Sequence, residues 1–165
     1  MDLADFLRLF DEHNLALFRF AYRLTGSVAD AEDIVQECFL ELLRPACRYN
    51  AARTSLRTYL FGVVRNQALK RRRTQLRGMD VENLLSPERA VLRAEMEQVV
   101  SRAVMALPDT QREVLILAHY EQMPLAEIGA VMNLEVTAVK SRLQRARAEL
   151  KETLAAYAAG MEKRR

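Results

Sequence analysis

Apolar positions recur at helical spacing over nearly the whole chain. Within Leu3 to Leu24 the stripe is Phe6, Leu7, Phe10, Leu17, Phe18, Ala21 and Tyr22, which predicts one helix, or two broken near His13 and Asn14. Gly26 ends it, because glycine turns left-handed past a last turn without a Cβ clash. Ser27 or Asp30 can cap the next helix, Ala31 to Leu43, with Ile34, Val35, Cys38, Phe39 and Leu42 inward and Asp33, Gln36, Glu37 and Glu41 outward. Pro45 stops it, and the loop RPACRYNAARTS follows. Thr54 or Ser55 then caps a helix from Leu56 to about Arg73 with the stripe Leu56, Tyr59, Leu60, Val63, Val64 and Ala68.

Periodicity fails from Thr74 to Arg89, a stretch holding Gly78 and Pro87 that reads as a linker. It resumes with Val91, Leu92, Met96, Val99, Val100, Val104 and Leu107. Pro108 breaks that helix, Asp109 or Thr110 caps the next, Val114 to Ala118 is a buried run, and Gln122 to Pro124 turns the chain. The clearest pattern lies from Leu125 to Leu150. Leu125, Ile128, Val131 and Met132 make a short apolar stripe. Asn133 can then turn left-handed, Leu134 fills the corner, and Glu135 and Thr137 open a second helix. That helix buries Val136, Val139, Leu143, Ala146 and Leu150 and turns Lys140, Ser141, Arg142, Gln144, Arg145 and Arg147 outward. The parsing gives 1–73 and 90–158 as domains, 74–89 as linker and 159–165 as a basic tail, in which Met161 to Arg165 is expected to fray. No useful strand-like alternation occurs, so the fold class is all-α, two small helical domains, the second with a helix-turn-helix.

Charge sharpens this picture. The 165 residues carry a net +3, yet residues 1 to 43 hold nine acids and three bases, and residues 44 to 79 hold ten bases and no acid. Two surfaces with two different partners are implied, one of them nucleic acid. Val114 to Val136 holds three acids and no base, whereas Thr137 to Lys151 holds five bases and one acid. Two helices joined by a tight turn, the second presenting cations and an amide, suit the DNA major groove: Arg and Lys read guanine edges, Gln reads adenine, and the remaining cations neutralise phosphate. An amphipathic helix with a solvated charged face would share part of this pattern. Arg48 and Tyr49 lead into a helix of Arg and Asn, a combination that could hold single-stranded DNA or serve as a helix end with a basic linker.

The acidic face of residues 31 to 43 is open to three readings: solvated surface, a docking face for a basic helical partner, or a metal site from Asp30, Asp33 and Glu37. The last lacks a His and a pocket-forming loop. Cys38 lies on an apolar stripe, and neither it nor Cys47 has a ligand spacing with His13 or His119, so no metal or cofactor is expected. No phosphate-cradling glycine loop, nucleophile elbow or paired His and Cys points to an enzyme. The acidic amphipathic start fits no targeting peptide, and no apolar run approaches the roughly 20 residues of a membrane span, so a cytoplasmic protein is expected.

DAEDIVQECFLELL (Asp30 to Leu43), TSLRTYLFGVVRNQALKRRR (Thr54 to Arg73), LPDTQREVLILAHYEQMPLAEIGAVM (Leu107 to Met132) and VKSRLQRARAEL (Val139 to Leu150) together resemble an extracytoplasmic-function sigma factor of the sigma-70 family. The resemblance covers nearly the whole chain. It implies core RNA polymerase and promoter DNA as partners, commonly an anti-sigma factor wrapped around both domains, and no catalysis. By its motifs, Asp33, Gln36 and Glu37 match the polymerase-binding helix. Arg48, Tyr49, Asn50, Arg53, Arg57, Arg65, Asn66 and Lys70 fall in the part that captures the melted minus-ten element. Lys140, Ser141, Arg142, Gln144 and Arg145 fall on the helix that enters the minus-thirty-five major groove. Tyr59 departs from the family pattern, standing where tryptophan is usual, as does the loop RPACRYNAARTS. A dimeric helix-turn-helix operator-binding regulator is the alternative; it explains Leu125 to Leu150 but gives the acidic helix and basic loop no purpose.

Overall fold

The computed structural model describes the backbone of residues 3–75 and 93–162 and the side chains of 4–73 and 97–160. Most of the expected linker, Val91 and Leu92, and residues 163–165 of the expected tail lie outside the described residues. Among those described, every regular element is helical.

Helix α1 (Leu3–Thr25) is continuous through His13 and Asn14. Phe10 and Leu17 stand two turns apart on one face, so packing carries the helix across two weak formers. Leu7 leaves the expected stripe and is half-exposed, because Phe6 and Phe10 take the contact with Phe39 of α2 (Val28–Leu43), at ring separations of 6.0 and 4.8 Å. Gly26 has φ +72° and donates its N–H to the Tyr22 carbonyl, closing α1. Ser27 is the cap of α2: its Oγ accepts from the Asp30 N–H at 3.2 Å. Ser55 does the same for α3 (Leu56–Gln75), accepting from the Thr58 N–H at 3.1 Å. The three helices bury Leu17, Phe20, Ile34, Cys38, Leu60 and Val64. Phe61 is buried as well, its ring 5.1 Å from that of Phe20, so the apolar arc of α3 is wider than the single stripe read from the sequence.

The second half runs through α4 (Arg93–Ala106), α5 (Asp109–Leu115), a π-helical turn (Ile116–Tyr120), α6 (Leu125–Met132) and α7 (Val136–Glu162). Neither Asp109 nor Thr110 caps α5. Pro108 holds that place, and the Asp109 carboxylate instead accepts from buried Arg112 at 2.6 Å. The π turn, absent from the sequence reading, closes with Glu121 N–H on the Ile116 carbonyl, and Gln122 at φ +50° then redirects the chain. Asn133 adopts the expected left-handed conformation, φ +55° and ψ 52°. Val136, expected inside, is over a third exposed at the first position of α7, where Leu134 already fills the corner. The helix also continues across Gly160 as far as Glu162.

The two halves are not independent. α3 lies against α6, α1 touches the π turn, and buried residues of both halves form one contiguous cluster. Two small domains on a polar linker predict variable placement; here the halves share apolar burial together with the polar contacts Arg57 to Glu121 and Arg65 to Glu113.

Candidate nucleic-acid interface

Three surfaces carry the chemistry. The first is the outer face of α2, where Asp33, Gln36 and Glu37 are exposed one helical turn apart. Arg71 reaches across from α3 and joins their carboxylates: its Nη1 donates to Asp30 Oδ1 at 3.2 Å and Asp33 Oδ2 at 3.3 Å, and its Nη2 to Glu37 Oε1 at 3.3 Å. Burial works to lower the Arg71 pKa, and the hydrogen bonds to Asp33 and Asp30 with the charge of Glu37 outweigh it, holding the pKa above its ordinary value. A guanidinium thus occupies the centre of the carboxylate trio weighed as a metal site, and no metal-ligating cluster forms among the described residues. Beside this face, Phe6, Phe10, Phe18, Val35, Phe39 and Leu40 line an apolar groove of about 570 Å³ with Gln36 and Glu32 on its wall.

The second surface is the loop 44–55 with α3. Arg48, Asn50, Arg53, Asn66 and Lys70 are exposed. Asn50 Oδ1 accepts from the Ala52 N–H at 2.9 Å, a local turn that shapes the loop. Tyr49 is half-buried, its ring 5.4 Å from that of Tyr59, whose hydroxyl meets Cys47 Sγ at 3.8 Å. Burial, with the Cys47 contact second, pushes the Tyr59 hydroxyl up to about 12. Tyr59 therefore fills the tryptophan position as a packed ring that anchors the loop. Cys38 is buried against the Leu60 carbonyl, and desolvation raises its thiol to about 12. Neither cysteine forms a disulfide.

Arg57 and Arg65, on the same helix, turn toward the second half rather than to open solvent. Arg57 Nη2 donates to the Glu121 carbonyl at 2.8 Å, and Arg65 Nε donates to Glu113 Oε2 at 2.6 Å. Glu113 is only 2% exposed, and its pKa stands above the ordinary carboxylate value because burial outweighs the attraction of Arg65. Thr58 Oγ1 donates to Glu127 Oε2 at 3.4 Å, Arg72 pairs with Asp109, and Arg23 lies 4.1 Å over the Tyr120 ring with Glu121 at 3.8 Å. Sequence reasoning missed these acceptors. The signal available was the acid-free run 44–79, whose cations the sequence reading gave to nucleic acid or to a basic linker.

The third surface is the helix-turn-helix. Leu134 donates its N–H to the Gly129 carbonyl at 2.8 Å, and a Cβ on Gly129 would stand 2.6 Å from the Leu134 oxygen, so only glycine permits this corner. The corner sets the start of α7, which buries Val139, Leu143 and Ala146. Lys140, Gln144 and Arg145 are exposed along one row, and Ser141 and Arg142 are half-buried at its edge. A row of cations and an amide at the amino-terminal end of a projecting helix can enter a major groove.

Comparison with known proteins bears on these surfaces. The family model described as Sigma-70 region 2 matches residues 9–78, and that described as Sigma-70, region 4 matches residues 97–150. The ECF RNA polymerase sigma factor SigL of Mycobacterium tuberculosis is 32% identical, over 88% of this chain and 86% of the relative. SigW of Bacillus subtilis is 27% identical, over 90% and 88%. Among solved structures, the sigma factor RpoE in complex with the anti-sigma factor NepR from Bartonella quintana superposes with a TM-score of 0.78 at 25% identity, over 93% of this chain and 98% of that one. CnrH in complex with the cytosolic domain of CnrY gives 0.73 at 28% identity, over 94% and 90%.

Proposed function

This chain belongs to the extracytoplasmic-function sigma factors of the sigma-70 family, and from that membership we propose how its three surfaces divide the work. It binds core RNA polymerase and directs promoter-specific transcription initiation. Sigma factors are in general non-catalytic regulators, and this one acts by binding alone, in the cytoplasm where the polymerase is. Among the described residues, no helix is long and apolar enough to cross a membrane.

Asp33, Gln36 and Glu37 dock on a basic helical element of the polymerase, with the apolar groove beside them taking that element's non-polar side. Arg48, Tyr49, Asn50, Arg53, Arg57, Arg65, Asn66 and Lys70 hold the melted minus-ten strand. Phosphates go to the cations and an unstacked base to the amide and aromatic groups, offsetting an unstacking cost of a few kcal/mol. Lys140, Ser141, Arg142, Gln144 and Arg145 read the minus-thirty-five duplex. The domains are 1–73 and 90–158, joined by 74–89. Only polymerase fixes the distance between the two readers, so the free factor binds promoters weakly. The similar RpoE of Bartonella quintana was solved in complex with the anti-sigma factor NepR, which supports an anti-sigma factor for this chain too.

The observation that carries this reading is the exposed acidic row of α2 on the same chain as the projecting row Lys140, Gln144 and Arg145. An operator-binding regulator has no use for the former. The test is binding to core RNA polymerase by the native chain and by Asp33→Lys plus Glu37→Lys, which also sets like charges beside Arg71. Native binding lost in the folded variant is expected; absence of native binding sinks the assignment of the acidic face.

A further inference from the structure

We propose that Arg71 is the positioning residue of the polymerase-docking face: reaching over from α3, it holds the Asp33 and Glu37 carboxylates of α2 in the poses that a basic partner meets. The proposal rests on the docking role given to those two acids above. Asp30, Asp33 and Glu37 stand at i, i+3 and i+7 on one face of α2, where three like charges repel one another. Arg71 lies near the end of α3 and points to that face, while its neighbour Arg72 turns to Asp109 and Arg73 to solvent. Its guanidinium divides its donors, Nη1 serving Asp30 and Asp33 and Nη2 serving Glu37, at 3.2–3.3 Å. A planar fork can span three carboxylates in this way; the ammonium of a lysine is a single point of charge.

Exposure separates an anchor from two working groups. The Arg71 and Asp30 side chains keep 24% and 20% of their surface in water, whereas those of Asp33 and Glu37 keep 62% and 48%. Asp30 thus fixes the guanidinium on the seam between α2 and α3, and the guanidinium fixes the two open carboxylates in turn. Arg71 donates to Oδ2 of Asp33 and Oε1 of Glu37, which leaves the second oxygen of each to meet an incoming cation. A surface carboxylate ordinarily turns among rotamers, and a partner docking on it must stop that motion. Arg71 stops it beforehand. Charge alone predicts the opposite sign. Three carboxylates with one guanidinium carry a net −2, and without it −3. One more negative charge about 7 Å from a partner cation in water would tighten binding on the order of threefold. The direction of the change therefore separates positioning from neutralisation.

The experiment titrates core RNA polymerase into the full chain carrying an amino-terminal fluorophore, in four forms: native, Arg71→Gln, Asp33→Asn and the two together. Affinity is read by anisotropy, and thermal unfolding is run on each form. Arg71→Gln releases two side chains and should weaken binding about tenfold, although it makes the face more negative. Asp33→Asn should weaken it by a similar factor. The double variant should fall short of the product of the two losses by about threefold or more, because Arg71 acts in part through Asp33. A role confined to holding α2 on α3 would lower Tm and leave the two losses independent. Arg71→Lys keeps the cation and should bind about threefold more weakly than the native chain at unchanged Tm. It carries the same cycle with Asp33→Asn where Arg71→Gln fails to fold. Arg71 variants that bind as tightly as the native chain, or more tightly, overturn the positioning role, as do losses that multiply in full. If Asp33→Asn weakens binding while the Arg71 variants do not, the docking face stands without its positioner; if Asp33→Asn binds like the native chain, the docking role of Asp33 itself falls.

Discussion

Gly129→Ala isolates the corner on which the helix-turn-helix depends. A Cβ there would lie 2.6 Å from the Leu134 carbonyl oxygen, and ordinary contact begins near 3.4 Å, so the two must part by about 0.8 Å. The neighbour is backbone, held by the Leu134 N–H on the Gly129 carbonyl and by the left-handed Asn133, and has no rotamer with which to give way. Overpacking of this kind costs about 1–3 kcal/mol. Replacing a helical glycine by alanine returns about 1 kcal/mol. A net loss of up to about 2 kcal/mol remains, which lowers Tm by up to about 8 °C in a chain of this size. Gly62→Ala in α3 is the control: nothing lies within 4 Å of its Cβ, so propensity acts alone and Tm should rise. Thermal unfolding followed by circular dichroism measures both. If Gly129→Ala melts at or above the native chain while Gly62→Ala rises equally, the clearance at Leu134 does not limit the turn.

Burial raises the pKa of both Glu113 and Glu121, so the folded chain holds these protons more tightly than the unfolded one. Their contribution is full below the ordinary value of 4.5 and is lost as pH rises through the raised values. Glu113→Gln, whose amide oxygen can still accept from Arg65, should melt above the native chain at pH 7 and converge with it near pH 4.5. A lower melting point at pH 7 would mean that the ion pair outweighs the burial. Arg142→Glu plus Arg145→Glu should weaken binding of the polymerase-bound factor to the upstream duplex by tenfold or more, at about 1 kcal/mol or more for each lost contact, with polymerase binding unchanged. Undiminished promoter output from that double variant would remove α7 from the recognition role.

The helices were legible where one local signal decided them. Ser27, Gly26 and Asn133 each mark a boundary by a backbone or cap preference that tertiary packing did not oppose. Asn133 shows its predicted left-handed geometry because the corner leaves no alternative. Legibility ended where two distant segments had to be paired. Nothing near Phe61 says that both sides of α3 are covered, and nothing near Asp109 says that its carboxylate serves Arg112 and Arg72 rather than a helix end. The π turn is a further case: Val114 to Ala118 reads as a buried run, but apolar composition does not distinguish an α from a π register. For the site, exposure of Lys140, Gln144 and Arg145 follows from helical periodicity alone, whereas the inward turn of Arg57 and Arg65 depends on Glu121 and Glu113, more than forty positions away.

The acid-free run explains why these long-range pairs form at all. Its cations cannot be satisfied within the run, so each partly buried one must borrow an anion from elsewhere. Arg71 takes the carboxylates of α2, and Arg57, Arg65 and Arg72 take oxygens of the second half; Arg44, though exposed, pairs with Glu41. Arg48, Arg53 and Arg73 remain in water. A stretch selected to meet phosphate would present such a surplus, since an internal acid for every base would leave nothing to attract a strand. The same surplus makes the first half a target for any acidic surface tethered to it. With the second half on a short linker, the effective concentration of its acids at α3 is high. On the strand-reading role proposed for α3, the contact between the halves and strand capture on the polymerase draw on the same cations, so deleting them to break the first should weaken the second.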